Sequence, residues 1–189
     1  MKLERVSPRT AADVDLFNNW MSHTKKLIEE LLDCDGFDPM GDAELPAVSV
    51  LTGAAARAGY SPVAEYKLVK SVNRADKLGR ADLWFNANNE DRAFEFKFWR
   101  NQHWGIEDLK TTYTYAMSCA AELPKTEAEE IYGGVIAKLH RPEAAEACLK
   151  FAEGRTHAYR IYSPSGYDLF LFFQSLAEYL GENVSRQQV

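Results

Sequence analysis

Apolar and polar residues alternate with the period of a β-strand near the middle of the chain. Phe94, Phe96 and Phe98 occupy every second position there, and Glu95 and Lys97 stand between them. Successive side chains of a strand point to opposite faces of the sheet. The pattern therefore predicts a strand with an aromatic face for burial and a second face that carries an acid and a base.

The segment that precedes this strand has the same alternation. Asp82 and Trp84 share one predicted face. Apolar residues fill the opposite face: Ala81, Leu83 and Phe85. A polar turn over residues 86–91 joins the two segments. Pairing through this turn would place Asp82 beside Glu95 and gather two carboxylates and one ammonium group at one point.

The remaining elements follow from periodicity and from turn residues. Helical spacing of apolar residues predicts helices over residues 10–36, 44–58, 106–121 and 142–153. Strand-like segments cover residues 63–72, 80–86, 92–99, 131–139 and 156–162. Polar residues predict turns over residues 73–79 and 86–91.

The aromatic-rich segment near the end of the chain allows two predictions. Residues 168–180 read as an apolar helix closed by Gly181, whereas residues 167–173 taken alone could form a strand. A short, continuous apolar run does not distinguish a buried helix from a buried strand by its period. The helix is the main prediction, and the strand is the alternative.

This order of elements predicts a single α/β domain over residues 1–189. A helix, a three-stranded antiparallel meander, a second helix and a further strand form the predicted core, residues 44–139. Residues 1–38 form an N-terminal helical extension, and residues 140–189 are a C-terminal elaboration with additional helices.

Asp82 followed by Glu95-x-Lys97 resembles the motif of the PD-(D/E)xK nuclease superfamily, which has the restriction-endonuclease-like fold. Ala81 stands where the family motif has Pro. The resemblance implies that Asp82 and Glu95 bind Mg²⁺ or Mn²⁺, and that Lys97 positions or activates the attacking water and stabilises charge on the phosphate. The implied activity is hydrolysis of phosphodiester bonds, in DNA more than in RNA. Mg²⁺ prefers carboxylate oxygens and keeps positions open for water and phosphate.

A further acid is expected near this motif. The superfamily often takes it from the first core helix, and Glu44 occupies the start of the corresponding predicted helix. A structural role for Glu44 is equally well supported, because an acid in the first turn of a helix interacts favourably with the helix dipole. Glu65, in the first predicted strand of the core, is the rival acid.

Composition is that of an ordinary globular domain, with 46% apolar and 26% charged residues. No apolar run is long enough to span a membrane, and the first residues lack a signal-peptide core, so we expect a cytoplasmic protein. Cys34, Cys119 and Cys148 are widely spaced, so we expect reduced, partly buried thiols.

The net charge of −6 disfavours coating of nucleic acid by bulk positive charge. A local basic strip could still bind an anionic substrate. The strip comprises Lys67, Lys70, Arg74, Lys77, Arg80, Arg92, Lys97, Arg100, His103 and Lys110. The candidates for nucleic-acid contact are Arg80, Arg100, His103, Trp104 and Lys110. Trp104 could stack on bases.

Two other functions compete with the nuclease. The first is a non-catalytic nucleic-acid-binding or regulatory protein on the same fold, since fold does not dictate function. The second is an interaction protein that assembles through its aromatic helices. A homodimer is implied only by the resemblance, because many such nucleases dimerise to cut both strands.

Overall fold

The computed structural model describes residues 1–35, 37–41, 43–72, 75–100 and 105–186. These residues form a mixed α/β fold with five helices and one seven-stranded sheet. The strands are β1 (Lys2–Arg5), β2 (Ser61–Val72), β3 (Ala75–Ala87), β4 (Glu90–Phe98), β5 (Glu130–Lys138), β6 (His157–Tyr162) and β7 (Asp168–Ser175). The helices are α1 (Val14–Asp35), α2 (Glu44–Arg57), α3 (Ile106–Ala121), α4 (Ala144–Ala152) and α5 (Leu176–Arg186).

The sheet order is β1-β6-β7-β5-β4-β3-β2. The predicted meander is present, because β2, β3 and β4 pair antiparallel in succession. Helix α3 then crosses over to β5, which pairs parallel with β4. The other neighbouring pairs are antiparallel. A parallel pair needs a crossover connection, and α3 provides it.

Apolar side chains pack on both faces of the sheet. The predicted aromatic face of β4 is buried as expected: Phe94 and Phe96 lie in the large core beside α1 and α2, with Phe98 packed against it. A second core contains residues of α3, α4 and β7. The sheet is thus covered by helices on either side, and polar side chains on its strands can reach solvent only where this cover ends.

Helix α3 approaches the sheet closely at Gly133 of β5. A Cβ atom on this residue would stand 3.1 Å from the Cα of Met117, and it would collide with the Met117 sulfur. Only glycine leaves the space for this contact between helix and strand. Gly133 therefore fixes the position of α3 over the centre of the sheet.

Helix α2 begins and ends as predicted. Glu44 is its first residue, and Gly59 follows its end with φ of 89°. The amide of Gly59 donates to Ala56 O at 3.1 Å, and that of Tyr60 donates to Ala55 O at 3.0 Å. These two bonds satisfy carbonyls that the helix end leaves free. The apolar side chain of Leu45, in the first turn of this helix, is exposed.

The structure corrects several predictions. Residues 168–175 are strand β7, so the helix predicted there is wrong and the alternative, a strand over residues 167–173, is confirmed. The run lies in the interior of the sheet and is buried on both faces, which removes the alternation of a half-exposed strand. Residues 75–79, predicted as part of a turn, belong to strand β3. Strand β1 was not predicted. The three cysteines are free thiols, but Cys34 is exposed.

In the part of the chain that the structure describes, none of the helices combines the length and the apolar character needed to cross a bilayer.

Candidate active site

Strand β3 leaves β4 partway along the sheet. Their pairing runs from Ala87↔Glu90 to Leu83↔Phe94 and ends there. The pairing of β3 with β2 continues much further, to Val72↔Ala75. The outer part of this hairpin, residues 66–72 and 75–81, therefore extends past the ladder with β4, and we call it the β2–β3 arm.

The direction of the side chains changes where the arm begins. Glu65 has φ of 51°, a left-handed conformation that L-residues adopt at a cost of about 1 kcal/mol or more. On β3, Leu83 and Phe85 belong to the large core, whereas Ala81 packs in a small cluster with Ala120 of α3. The prediction that Ala81 shares a face with Leu83 and Phe85 is therefore wrong, because the strand does not keep a regular alternation across Asp82.

Asp82 lies at this break and is buried. Its Oδ2 accepts a hydrogen bond from the Phe96 backbone N–H at 2.6 Å. Because the β3–β4 ladder has already ended, the carboxylate provides the acceptor that a neighbouring strand would otherwise supply. Asp82 thus has a structural role and also fixes a negative charge beside β4.

Glu95 is the most buried acid of the site, with 2% of its surface exposed. Its Oε1 lies 2.6 Å from the Nζ atom of Lys70, which reaches in from the β2–β3 arm. The pKa of Glu95 is raised from 4.5 to about 7, first by burial and then by the negative charge of Asp82, while Lys70 opposes the rise. Two buried carboxylates repel each other here, and a nearby cation favours the ionised form of Glu95.

Lys70 reaches Glu95 because residue 79 has no side chain. A Cβ on Gly79 would stand 2.9 Å from the Lys70 Cδ atom. The Lys70 stem therefore runs across the space that a side chain would fill. Gly79 is needed for the Lys70–Glu95 contact.

Lys97 shares the polar face of β4 with Glu95. Its Nζ donates to the Phe96 carbonyl oxygen at 2.6 Å and lies 3.6 Å from Glu44 Oε1. Burial by itself would lower the pKa of Lys97, but the negative charges of Glu44 and Asp82 raise it above its ordinary value. The lysine is therefore held as an ammonium group among carboxylates.

The structure places the two rival acids differently. Glu44, at the start of α2, lies beside Lys97; burial raises its pKa, the Lys97 charge opposes this, and the Asp82 charge adds to the rise. Glu65 instead pairs with Arg80, with 3.2 Å between Oε2 and Nη1. Glu44 is therefore the third acid near the motif, in addition to its position in the first turn of a helix.

We refer to Asp82, Glu95, Lys97, Glu44 and Lys70 as the acid–lysine cluster. The side chains come from β3, β4, α2 and β2, so four separate elements meet at this point. The three acids supply the oxygen ligands that a hard divalent cation prefers. In the described residues, however, no three His, Cys, Asp or Glu side chains stand close enough together to form a ready-made metal site.

A divalent cation nevertheless fits the chemistry of this cluster. Glu95 is buried next to a second carboxylate, and its pKa is raised to about 7 for that reason. The charge that balances it comes from Lys70, a flexible side chain from another strand. A group of acids that needs a positive charge, and now receives it from a movable lysine, has the donor set and the charge for a metal ion.

The residues predicted to contact nucleic acid are only partly near the cluster. Arg100 is exposed, lies over the Phe98 ring with 5.8 Å to its centroid, and lowers the pKa of Glu44 by its charge, so it is close to the site. Arg80 is exposed on the arm. Lys110 is on α3 and pairs with Glu107 at 2.7 Å. The predictions for His103 and Trp104 lie outside the described residues.

The basic strip is also less continuous than predicted. Arg92 is buried, and its Nη2 pairs with Glu90 Oε2 at 2.6 Å. Lys70 is turned inward to Glu95. Arg74 lies outside the described residues. The exposed bases that remain on the arm are Lys67, Lys77 and Arg80.

Lys70 is the residue of this site whose role the sequence did not reveal. The sequence placed it in the basic strip as one of many surface cations. A signal was present, because Gly79 lies opposite Leu68, on the face of the hairpin that also carries Lys70. A glycine within a strand often marks the close approach of another group.

Comparison of the chain with protein-family models, with curated proteins and with solved structures finds no match.

Proposed function

We propose that this protein is a metal-dependent nuclease of the restriction-endonuclease-like type that hydrolyses phosphodiester bonds in DNA. The observation that carries the proposal is the meeting of Asp82, Glu95 and Lys97 where β3 leaves β4, two buried carboxylates and one ammonium group. Asp82 and Glu95 would bind Mg²⁺ or Mn²⁺, and Glu44 would complete the set of acids. The order of α2, the meander β2–β4, α3 and the parallel strand β5 supports the same proposal.

When bound, the ion would polarise the phosphate and lower the pKa of a coordinated water. Lys97 has the charge and position to bind a phosphate oxygen and to stabilise negative charge that develops on it. The Phe96 carbonyl and Glu44 hold its ammonium group, so its direction is set before substrate arrives. Such a fixed charge costs little reorganisation during the reaction.

The exposed cations around the cluster support an anionic polymer as substrate. Arg100 lies near Glu44, and Lys67, Lys77 and Arg80 are exposed on the β2–β3 arm. Each phosphate contact releases counterions from the nucleic acid and favours binding at low salt. An acidic protein can therefore hold DNA through this local surface.

The test is cleavage of plasmid and single-stranded DNA with Mg²⁺ or Mn²⁺, with and without a chelator. The most informative variant is Asp82→Asn, because Asn keeps an oxygen that can accept the Phe96 N–H and removes only the charge. We expect cleavage to fall by about 100-fold or more while the fold is kept. Lys97→Met, which keeps an apolar stem of similar length, should have an effect of the same order.

Glu146→Gln is the matched control, since this acid is exposed on α4, away from the cluster. Its cleavage should equal that of the original chain. Full activity in folded Asp82→Asn would remove this carboxylate from the mechanism. Cleavage that continues in the presence of chelator would show that the reaction does not need a metal ion.

One observation favours a second candidate, a non-catalytic nucleic-acid-binding or regulatory protein. Lys70 pairs with Glu95 at 2.6 Å, so the most buried acid of the cluster has a cationic partner from the chain itself. On this alternative, gel-shift experiments would show DNA binding that is unaffected by chelator, and no condition would give cleavage. A dimer, expected for a nuclease that cuts both strands, would be tested by light scattering with and without DNA.

A further inference from the structure

A polar cavity lies between α3, α4 and α5, and none of the acid–lysine cluster lines it. Its volume is about 610 Å³, within the range of small-molecule sites. Three cations and two tyrosines are among the side chains that surround it: Lys110, Lys150, Arg155, Tyr113 and Tyr179. We refer to it as the Arg155 pocket.

Arg155 is a buried cation, with only 9% of its surface exposed. Its guanidinium group lies over the rings of Tyr113 and Phe151, with centroid distances of 4.3 and 4.7 Å. Its Nη1 donates to Gln174 Oε1 at 2.7 Å. Within the described residues it forms no ion pair with a carboxylate, and its Nε is buried without a hydrogen-bond acceptor. Burying such a charge is costly unless an anion or other acceptors compensate.

Gln174 also has a buried N–H donor without an acceptor. It is fully buried on β7, and its Oε1 accepts from both the Tyr113 hydroxyl and Arg155. Its Nε2 is buried and, in the part of the chain described, has no partner. Two adjoining side chains therefore have N–H donors without acceptors. A native structure seldom leaves buried donors unpaired. Arg155 lines the pocket, whereas Gln174 lies behind it and is not among the lining residues.

The rim of the pocket adds positive charge and aromatic surface. Lys150 is exposed and forms no ion pair within the described residues. The two acids of the pocket are Glu153 and Glu182, and Glu182 is paired with Arg9. Tyr179 packs edge-on against Tyr113 at 5.8 Å, and it remains half-exposed at the wall.

We propose that the Arg155 pocket binds a nucleoside monophosphate. Arg155 and Lys150 provide the cations for a phosphate, which accepts several hydrogen bonds at once and suits a planar guanidinium. Tyr179 offers an aromatic surface against which a base can pack. The volume of the pocket greatly exceeds that of inorganic phosphate and leaves space for the nucleoside. This inference does not rest on the proposed nuclease activity.

The test is isothermal titration of the full chain with adenosine 5′-monophosphate, inorganic phosphate and adenosine, in chelator so that no metal contributes. Adenosine 5′-monophosphate should bind more tightly than phosphate or adenosine alone. Lys150→Ala should weaken this binding by about tenfold, because a charged hydrogen bond is lost from an exposed position. Arg155→Met, which keeps the stem, should abolish it.

Lys125→Ala is the control, since Lys125 is an exposed lysine outside the pocket. The affinity of this variant for adenosine 5′-monophosphate should equal that of the original chain. Lys150→Ala removes only an exposed side chain, so it tests the inference even if Arg155→Met does not fold. Absence of binding at millimolar nucleotide would overturn the proposal. Equal affinity of Lys150→Ala and the original chain would overturn it as well, and equal affinity for phosphate and nucleotide would overturn the nucleoside part.

Discussion

The acid–lysine cluster and the Arg155 pocket both border helix α3, but the buried cation of each site has different surroundings. At the first, Lys97 lies 5.6 Å from the Tyr115 ring centroid and is surrounded by carboxylates. At the second, Arg155 lies 4.3 Å from the Tyr113 ring centroid, donates to the Gln174 amide oxygen and forms no ion pair with a carboxylate in the part of the chain described. The acid–lysine cluster is rich in anions, whereas the Arg155 pocket has a buried cation without a paired anion.

This difference indicates what each site lacks. The first site has three acids and only two lysines, which fits a further cation. Arg155 lines its pocket as a cation without an anionic partner among the described residues, which fits an anion. Two ligands of opposite charge are therefore expected on one chain, and the comparison can be tested by changing the charge at each site.

The largest effect on stability should come from Lys70→Met. The substitution leaves Glu95 buried beside Asp82 without its partner, and breaking a buried pair in this way costs about 3 kcal/mol. We expect that loss in the free energy of unfolding at pH 8 in chelator, measured with urea. Saturating Mn²⁺ should restore much of it, because the ion would supply the missing charge.

Lys77→Met is the control for this experiment, since Lys77 is an exposed lysine of the same hairpin. Its stability should change by less than about 0.5 kcal/mol. A Lys70→Met variant as stable as the control would show that the Lys70–Glu95 pair contributes nothing to folding. Lost stability that Mn²⁺ does not restore would count against a metal at this site.

A smaller effect is expected in the dependence of stability on pH. The pKa of Glu95 in the folded chain, about 7, lies above its ordinary value of 4.5, so the folded state holds this proton more tightly than the unfolded state. The stabilisation is fully present below about pH 4.5 and is lost as the pH rises through about 7. Urea unfolding in chelator across this range should show the decline.

Glu95→Gln should remove that part of the pH dependence, because Gln does not titrate. The comparison concerns the slope of stability against pH between the two proteins, so a constant offset from the lost ion pair does not affect it. Identical slopes for the two proteins would mean that Glu95 keeps an ordinary pKa and is not confined beside Asp82.

The smallest effect should come from Arg155→Met in the absence of ligand. The variant loses a hydrogen bond to Gln174 and the contacts with two rings, but it also removes a buried charge without an anionic partner. These terms oppose each other, so we expect a change within about 1 kcal/mol, measured by urea unfolding. A loss near that of Lys70→Met would mean that the two sites do not differ as described.

Much of the fold could be predicted from local patterns. The helix over residues 106–121 matches α3, and the strand pattern around Glu95 matches β4 with its aromatic face in the core. Helix α3 is exposed along one side, and β4 carries the polar residues of the acid–lysine cluster on one face, so polar and apolar residues recur with the period of each element. β7 lacks this signal because it is buried on both faces, and for that reason the sequence left a helix and a strand open there, with the helix as the main prediction.

The sites depend more on tertiary structure. Asp82 and Glu95 are joined by a short turn, so their meeting could be expected from the strand pattern. The path of Lys70 over Gly79 depends on how the arm folds, and the sequence gives only a glycine as a sign of it. Arg155, Tyr113 and Gln174 come from separate elements and meet only through packing, so no spacing in the sequence relates them.

The hydrogen bond from the Phe96 amide to Asp82 provides a spectroscopic probe of the cluster. As long as the carboxylate accepts this proton at 2.6 Å, its exchange with deuterated solvent should be slow. Anything that draws Asp82 away, including a cation, would release the proton to exchange or shift its resonance. A single backbone NMR signal in the middle of β4 would thus report occupancy of the acids without any measurement of DNA cleavage.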